Sequence, residues 1–177
     1  MLTGRFVEAI NFAAIKHKDQ RRKDKQQTPY INHPIGVAHI LFFEGDVTSD
    51  EDVLIAAVLH DTVEDTQTTF EEIEGLFGPT VARIVKECTD DKSLAKNERK
   101  EAQVRLAPHK SDQAKLVKMA DKIYNLRSLK ETLPVGWTLE RAVEYFQWGK
   151  RVTDGCKGVN KKLELVLDSI YQSPPSL

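Results

Sequence analysis

The stretch Leu59-His60-Asp61-Thr62-Val63-Glu64-Asp65-Thr66 puts four ionisable side chains within six positions, directly after the apolar run Val53-Leu54-Ile55-Ala56-Ala57-Val58. That run reads as a core helix. Ionisable groups at its end are costly to desolvate unless they are paired or bind a metal. The spacing predicts two pairs, His60 with Glu64 and Asp61 with Asp65, each four residues apart and stacked on adjacent stripes of one helix. One pair can hold a cation while the other, a turn along, reaches whatever the cation binds. The chemistry that fits is metal-assisted hydrolysis.

Helices must position these groups. Phe6, Ile10, Ala13, Ala14 and His17 recur at helical spacing, and His33 to Phe43 forms a second apolar helix with Pro34 in its first turn. Ser49 or Asp50 can cap the helix that runs through the octet. Thr69, with Glu72 three residues on, opens a short helix that Gly78-Pro79 ends. Further helices are predicted over 80–88 and 111–130. Thr138 opens a helical region that reaches Tyr171 and breaks near Gly155 and Gly158. Two-residue alternation never persists long enough to nominate a sheet. The expectation is an all-α fold in one domain over residues 1–177, with a metal-site core from about 5 to 155 and a C-terminal helical region to about 172.

Composition narrows the partners. Hydrophobic residues make up 40% and charged residues 30%, which marks a globular chain, and the net charge of −1 provides no field for nucleic acid. Cys88 and Cys156 stand alone, so neither a zinc knuckle nor a disulfide framework is indicated. No apolar run is long enough for a bilayer and the N-terminus lacks a signal-peptide core. The expectation is a cytoplasmic protein without membrane or nucleic-acid partners.

Polar residues interrupt apolar helices in other places too. His33 follows Tyr30-Ile31-Asn32, Asp121 interrupts Leu116 to Ala120 with Asn125 four residues on, and Arg21-Arg22-Lys23 lies just upstream of His33. Together, His33, His60-Asp61 and Asp121 form an H…HD…D pattern that resembles the HD-domain phosphohydrolases. More narrowly, the chain is similar to the hydrolase domain of the RelA/SpoT family. Arg22-Lys23, residues 29–34, 57–66 and 118–127, and the Gly78-Pro79 step match it in order. The chain length and Thr89-Asp90-Asp91-Lys92 resemble the stand-alone animal SpoT homologues most closely.

The resemblance implies manganese-dependent removal of the 3′-pyrophosphate of (p)ppGpp, without synthetase activity. It implies metal ligation by His33, His60, Asp61 and Asp121, and positioning or deprotonation of water by Glu64 and Asp65. It further implies contact of Arg22 and Lys23 with the nucleotide and its phosphates, and of Asn125 with the ribose. In this chain Asp24-Lys25-Gln26-Gln27-Thr28 replaces the short Gly-containing turn usual in the family.

The residues themselves leave alternatives open. Carboxylates favour manganese or magnesium and imidazoles favour zinc or iron, so residue types do not choose the ion. Taken singly, His60-Asp61 reads as a helix-terminal ion pair and His33 as a cap. Asp121 reads as a partner of Lys118 or Lys122, and Arg22-Lys23 as a solvated loop. Lys96, Arg99 and Lys100 read as a solvated helix face, although Lys96 lies where it could close over a pocket and contact substrate. Tyr145, Phe146 and Trp148 read as core. Two other functions share the constellation: an HD phosphatase acting on another nucleotide, such as the 2′-phosphate of NADPH or a nucleoside monophosphate, and a nucleotide sensor without turnover.

Overall fold

A run of seven buried residues, Val53 to Leu59, forms the centre of helix α3 (Glu51–Leu59) in the computed structural model, which describes residues 3–175. Around it lie α1 (Gly4–Lys16), α2 (Asn32–His39), α6 (Pro79–Cys88) and α8 (Asp112–Glu131), all packed against α3. The remaining helices are α4 (Thr62–Asp65), α5 (Phe70–Phe77), α7 (Lys96–Leu106), α9 (Leu139–Asp154) and α10 (Lys161–Gln172). The described residues contain no strand beyond an isolated bridge between Arg21 and Pro29. The fold is all-α.

The capping signals act where the sequence puts them. The carboxylate of Asp50 accepts from Val53 N at 3.2 Å, Thr69 Oγ1 accepts from Glu72 N at 3.2 Å, and Thr138 Oγ1 accepts from Arg141 N at 3.3 Å. Each satisfies an amide that the first helical turn leaves without a partner. Gly78 joins α5 to α6 at φ 91°, a conformation that favours glycine. The C-terminal helical region breaks between α9 and α10, as the glycines there predict.

Two expectations need correction. The octet is not one helix: α3 stops at Leu59, His60 and Asp61 stand in a turn, and Thr62–Asp65 is a separate single turn. The cause is local. His60 Nδ1 donates to Ala57 O at 2.7 Å and Thr62 Oγ1 to Leu59 O at 2.7 Å, so side chains satisfy the last carbonyls of α3 and release the backbone to turn. The second apolar helix also changes pitch, since α2 gives way to a π-helical turn over Ile40–Glu44.

The loop before α2 closes on itself. Arg22 N donates to Thr28 O at 2.8 Å and Tyr30 N to Gln20 O at 3.0 Å, while Asp24 Oδ1 accepts from Thr28 N at 2.9 Å. Gln27 takes φ 53°, so this chain makes the left-handed turn without a glycine.

α2 meets α8 where Gly36 faces Tyr124, and the tyrosine ring occupies the space a Cβ would need. Gly36→Ala should therefore cost about 1–3 kcal/mol of stability through overpacking and displace Tyr124. Gly75, with open space around it, is the control: Gly75→Ala should hold or raise Tm. Thermal melts of the two variants check this, and equal melting points would contradict it.

Candidate metal centre and catalytic site

Three helices deliver the polar cluster. His33 comes from the first turn of α2, His60 from the end of α3 and Asp121 from the middle of α8, and all three are buried. Their donor atoms lie within 4.8 Å of one another. The bond from His60 Nδ1 to a carbonyl, which can only accept, fixes the proton on Nδ1 and leaves Nε2 as a lone-pair donor. That Nε2 is 3.1 Å from Asp61 Oδ2 and 3.8 Å from Asp121 Oδ1. His33 Nε2 is 3.2 Å from Asp121 Oδ1 and 3.5 Å from Asp61 Oδ2. Asp61 is steadied by the hydroxyl of Tyr30, which donates to its Oδ2 at 2.5 Å.

This donor set fits a divalent cation. His60 Nε2 is a buried atom with no hydrogen-bond partner, and it faces two carboxylates. A lone pair turned toward anions repels them unless a proton or a cation stands between. Without a cation the proton takes that place: burial opposes it, yet Asp61 and Asp121 raise the His60 pKa well above the ordinary imidazole value. Burial likewise pushes Asp61 and Asp121 upward. Their cationic neighbours win, with His60 first for Asp61 and Lys122 first for Asp121, and hold both well below the usual carboxylate range. Two imidazoles and two carboxylates around one point are an acceptable set for a divalent ion.

Glu64 and Asp65 stand beside the cluster and outside its compact ligand group. Glu64 is half-buried, and its Oε2 accepts from Asp90 N at 3.1 Å. Burial raises its pKa, the charges of Asp90, Asp61 and Asp65 add to the rise, and the bond from Asp90 N opposes it. Asp65 is more exposed and accepts from Gln20 Nε2 at 2.9 Å. Lys92 joins the pair, donating to the Glu64 carbonyl and lying 3.9 Å from Asp65 Oδ1.

A cavity of about 710 Å³ lies alongside, with Arg22, Lys23, Tyr30, Asn125, Trp137 and Tyr145 among its lining residues. The Arg22 guanidinium lies 5.9 Å from the ring centroid of Tyr30 and 5.5 Å from that of Tyr124, and it donates to Asn125 Oδ1 at 3.1 Å. Asn125 Nδ2 in turn donates to Asp121 Oδ1 at 2.7 Å. Lys23 sits exposed at the rim, where its carbonyl accepts from Val135 N at 2.8 Å. Lys96 is exposed at the start of α7 and is not among the lining residues.

Several participants escape sequence reasoning. Tyr145, read as core, lines the cavity, whereas Phe146 is core as expected. Trp148 has Lys100 and Lys122 over its ring at 5.1 and 4.8 Å. Tyr124 carries a findable signal, lying three residues after Asp121 in the same helix. Trp137 carries none, because only the path of the chain between α8 and α9 brings it to the cavity. The Asp121–Lys122 pair exists at 2.8 Å, but it is buried and not the surface pair the sequence suggests.

The raised Glu64 carboxyl makes a stability prediction for metal-free protein. The native state holds this proton more tightly than the unfolded chain, so stability is lost as pH rises from the ordinary value of 4.5 toward the folded value. Glu64→Gln removes the charge. Its stability relative to wild type should therefore grow between pH 4.5 and neutrality. Denaturant melts of chelated protein across that range check it, and a pH-independent difference would count against the assignment.

The comparisons bear on the same elements. A family model described as HD domain matches residues 9–143. The guanosine-3′,5′-bis(diphosphate) 3′-pyrophosphohydrolase MESH1 of Danio rerio is 57% identical over 169 residues, covering 96% of this chain and 93% of that protein. The same-named protein of Xenopus tropicalis is 61% identical over 165 residues, covering 93% of this chain and 92% of its own. A solved structure described as "A metazoan ortholog of SpoT hydrolyzes ppGpp and plays a role in starvation responses" superposes with a TM-score of 0.94 at 52% identity, covering 97% of this chain and 96% of that one. No helix among the described residues is long and apolar enough to cross a membrane.

Proposed function

Because this chain belongs to the HD-domain family, we propose that its cluster serves a guanosine-3′,5′-bis(diphosphate) 3′-pyrophosphohydrolase, which releases pyrophosphate from (p)ppGpp and leaves GDP or GTP. The observation that carries this reading is the convergence of His33, His60 and Asp121 beside an aromatic cavity with Arg22 on its wall. His33, His60, Asp61 and Asp121 would hold one divalent ion, which we assign as Mn²⁺ from the family resemblance alone; the mixed oxygen and nitrogen donors accept that ion without selecting it. When bound, such an ion polarises a phosphoryl oxygen and makes water a usable nucleophile near neutral pH.

The protein's own groups then divide the work. Glu64, half-buried beside the cluster, takes a proton from the attacking water and passes it toward the departing 3′-oxygen. The P–O bond to the ribose breaks and the water oxygen stays on the pyrophosphate. Asp65, at the cavity wall, orients the water or the substrate. Arg22, backed by two tyrosines, offers a planar donor fork to phosphate, and Lys23 adds charge at the rim. Trp137 and Tyr145 offer faces for the base. Asn125 reaches the ribose from the wall, and Lys96 approaches only if α7 moves inward.

The direct test is turnover by metal-reconstituted protein offered ppGpp, NADPH and nucleoside monophosphates, with products identified. Pyrophosphate and GDP from ppGpp support the reading. Preferential release of inorganic phosphate from NADPH would replace the substrate, and binding without turnover would leave a sensor. Chelation should abolish activity, and Asp121→Ala should fail to load metal fully. Glu64→Ala should keep metal and nucleotide binding yet lose about two to four orders of magnitude in kcat. A kcat within about twofold of wild type would reject its catalytic role.

Arg22 separates binding from metal loading. Arg22→Ala should raise KM with metal content unchanged, and Arg22→Lys should rescue poorly, since an ammonium has neither the fork nor the stacking plane. Unchanged kinetics in both variants would remove Arg22 from the site.

A further inference from the structure

The carboxylate of Asp121 is divided between two environments. Its Oδ1 faces His33 Nε2 at 3.2 Å and His60 Nε2 at 3.8 Å, and accepts from Asn125 Nδ2 at 2.7 Å. Its Oδ2 accepts from Lys122 Nζ at 2.8 Å. Adjacent residues on a helix do not ordinarily face one another, so tertiary packing must direct this contact. Lys122 is 4% exposed, and its Nζ lies 4.8 Å from the ring centroid of Trp148. Trp148 is itself anchored, its Nε1 donating to Lys100 O on α7 at 3.0 Å. The ammonium is thus held against Oδ2 by α9 and α7.

We propose that Lys122 is a positioning residue that restricts Asp121 to one cation-facing oxygen and tempers the negative charge of the cluster. The proposal rests on the metal-dependent reading above. An oxygen paired with a buried ammonium is not free to join Oδ1 in chelating the same ion. The ammonium also repels a divalent cation nearby, and so weakens the cluster's grip on it. Weaker donation leaves the ion more electrophilic toward a phosphoryl oxygen. A neutral side chain at 122 reverses both effects while Asn125 still aims Oδ1, so loss of charge outweighs loss of orientation. Tighter metal binding with slower turnover is the signature. A residue needed only for packing would lose affinity, activity and stability together.

The experiment uses the whole chain, stripped of metal and titrated with Mn²⁺ alone by calorimetry or chelator competition. Lys122→Met should bind Mn²⁺ about tenfold or more tighter than wild type, because a nearby like charge has gone. Its kcat on ppGpp at saturating Mn²⁺ should fall by about tenfold or more. Lys122→Arg, which keeps the charge, should return affinity toward wild type. In an Asp121→Asn background, the gain in affinity from Lys122→Met should shrink, since the part of the effect that runs through that carboxylate is lost. Unchanged or weaker Mn²⁺ binding by Lys122→Met overturns the proposal, and Lys122→Gln carries the same test if the methionine variant does not fold. Wild-type protein that binds no Mn²⁺ in this titration overturns the metal reading and this proposal together. Wild-type binding with an unresponsive Lys122→Met overturns this proposal alone.

Discussion

Buried carboxylates and imidazoles at the meeting point of α2, α3 and α8 impose the constraint from which the rest of the structure follows. Asp121 is buried and its Oδ1 lies against two imidazole nitrogens, with Asp61 closing the same space. Such a group is stable only when its charges are balanced and its donors aimed. Each neighbour serves one of those ends. Ala57 O fixes the tautomer of His60, Tyr30 steadies Asp61, Asn125 and Lys122 take up the two oxygens of Asp121, and the space left between the donors suits a cation.

The same constraint explains the break after Leu59. A helix continued through His60 and Asp61 would carry its polar side chains around the cylinder at a fixed pitch. The turn instead lets His60 stay buried while the single turn of α4 carries Glu64 and Asp65 toward solvent. The apolar run of α3 supplies the rigid support, since every residue from Val53 to Leu59 is buried among neighbouring helices. The break thereby separates the donors of the cluster from Glu64 and from Asp65, which lines the cavity, and environments diverge across it: Asp61 is held low while Glu64 is raised.

A hydrogen-bonded path joins the cavity to the cluster. Arg22 rests between Tyr30 and Tyr124 and donates to Asn125, which donates to Asp121. Tyr30 at the near end also touches Asp61. The guanidinium lies 5.9 and 5.5 Å from the two ring centroids, and its planar fork is what makes arginine more than a point charge. The Asp24–Thr28 turn holds Arg22 in register without a glycine, because Gln27 adopts the left-handed conformation.

The sequence by itself determined the all-α class and the caps at Asp50, Thr69 and Thr138, and its resemblance to the HD pattern singled out His33, His60, Asp61 and Asp121, which the fold brings together. The caps are legible because capping acts over three residues; polar side chains in apolar helices draw attention to the four residues, and the ordered match to the family's motif groups them. Periodicity could not reveal that α3 ends at Leu59, since the carbonyls released there are met by the side chains of His60 and Thr62 and not by the next turn of helix. Lys122 and Trp137 were likewise beyond it. A lysine next to an aspartate reads as surface, and a tryptophan in a loop carries no period. Only the packing of α7 and α9 onto α8 decided that the lysine is buried against Asp121, and only the path between α8 and α9 decided that the tryptophan faces the cavity. Contacts between residues far apart in the chain are set by how whole helices fit together, and a local pattern carries no record of that fit.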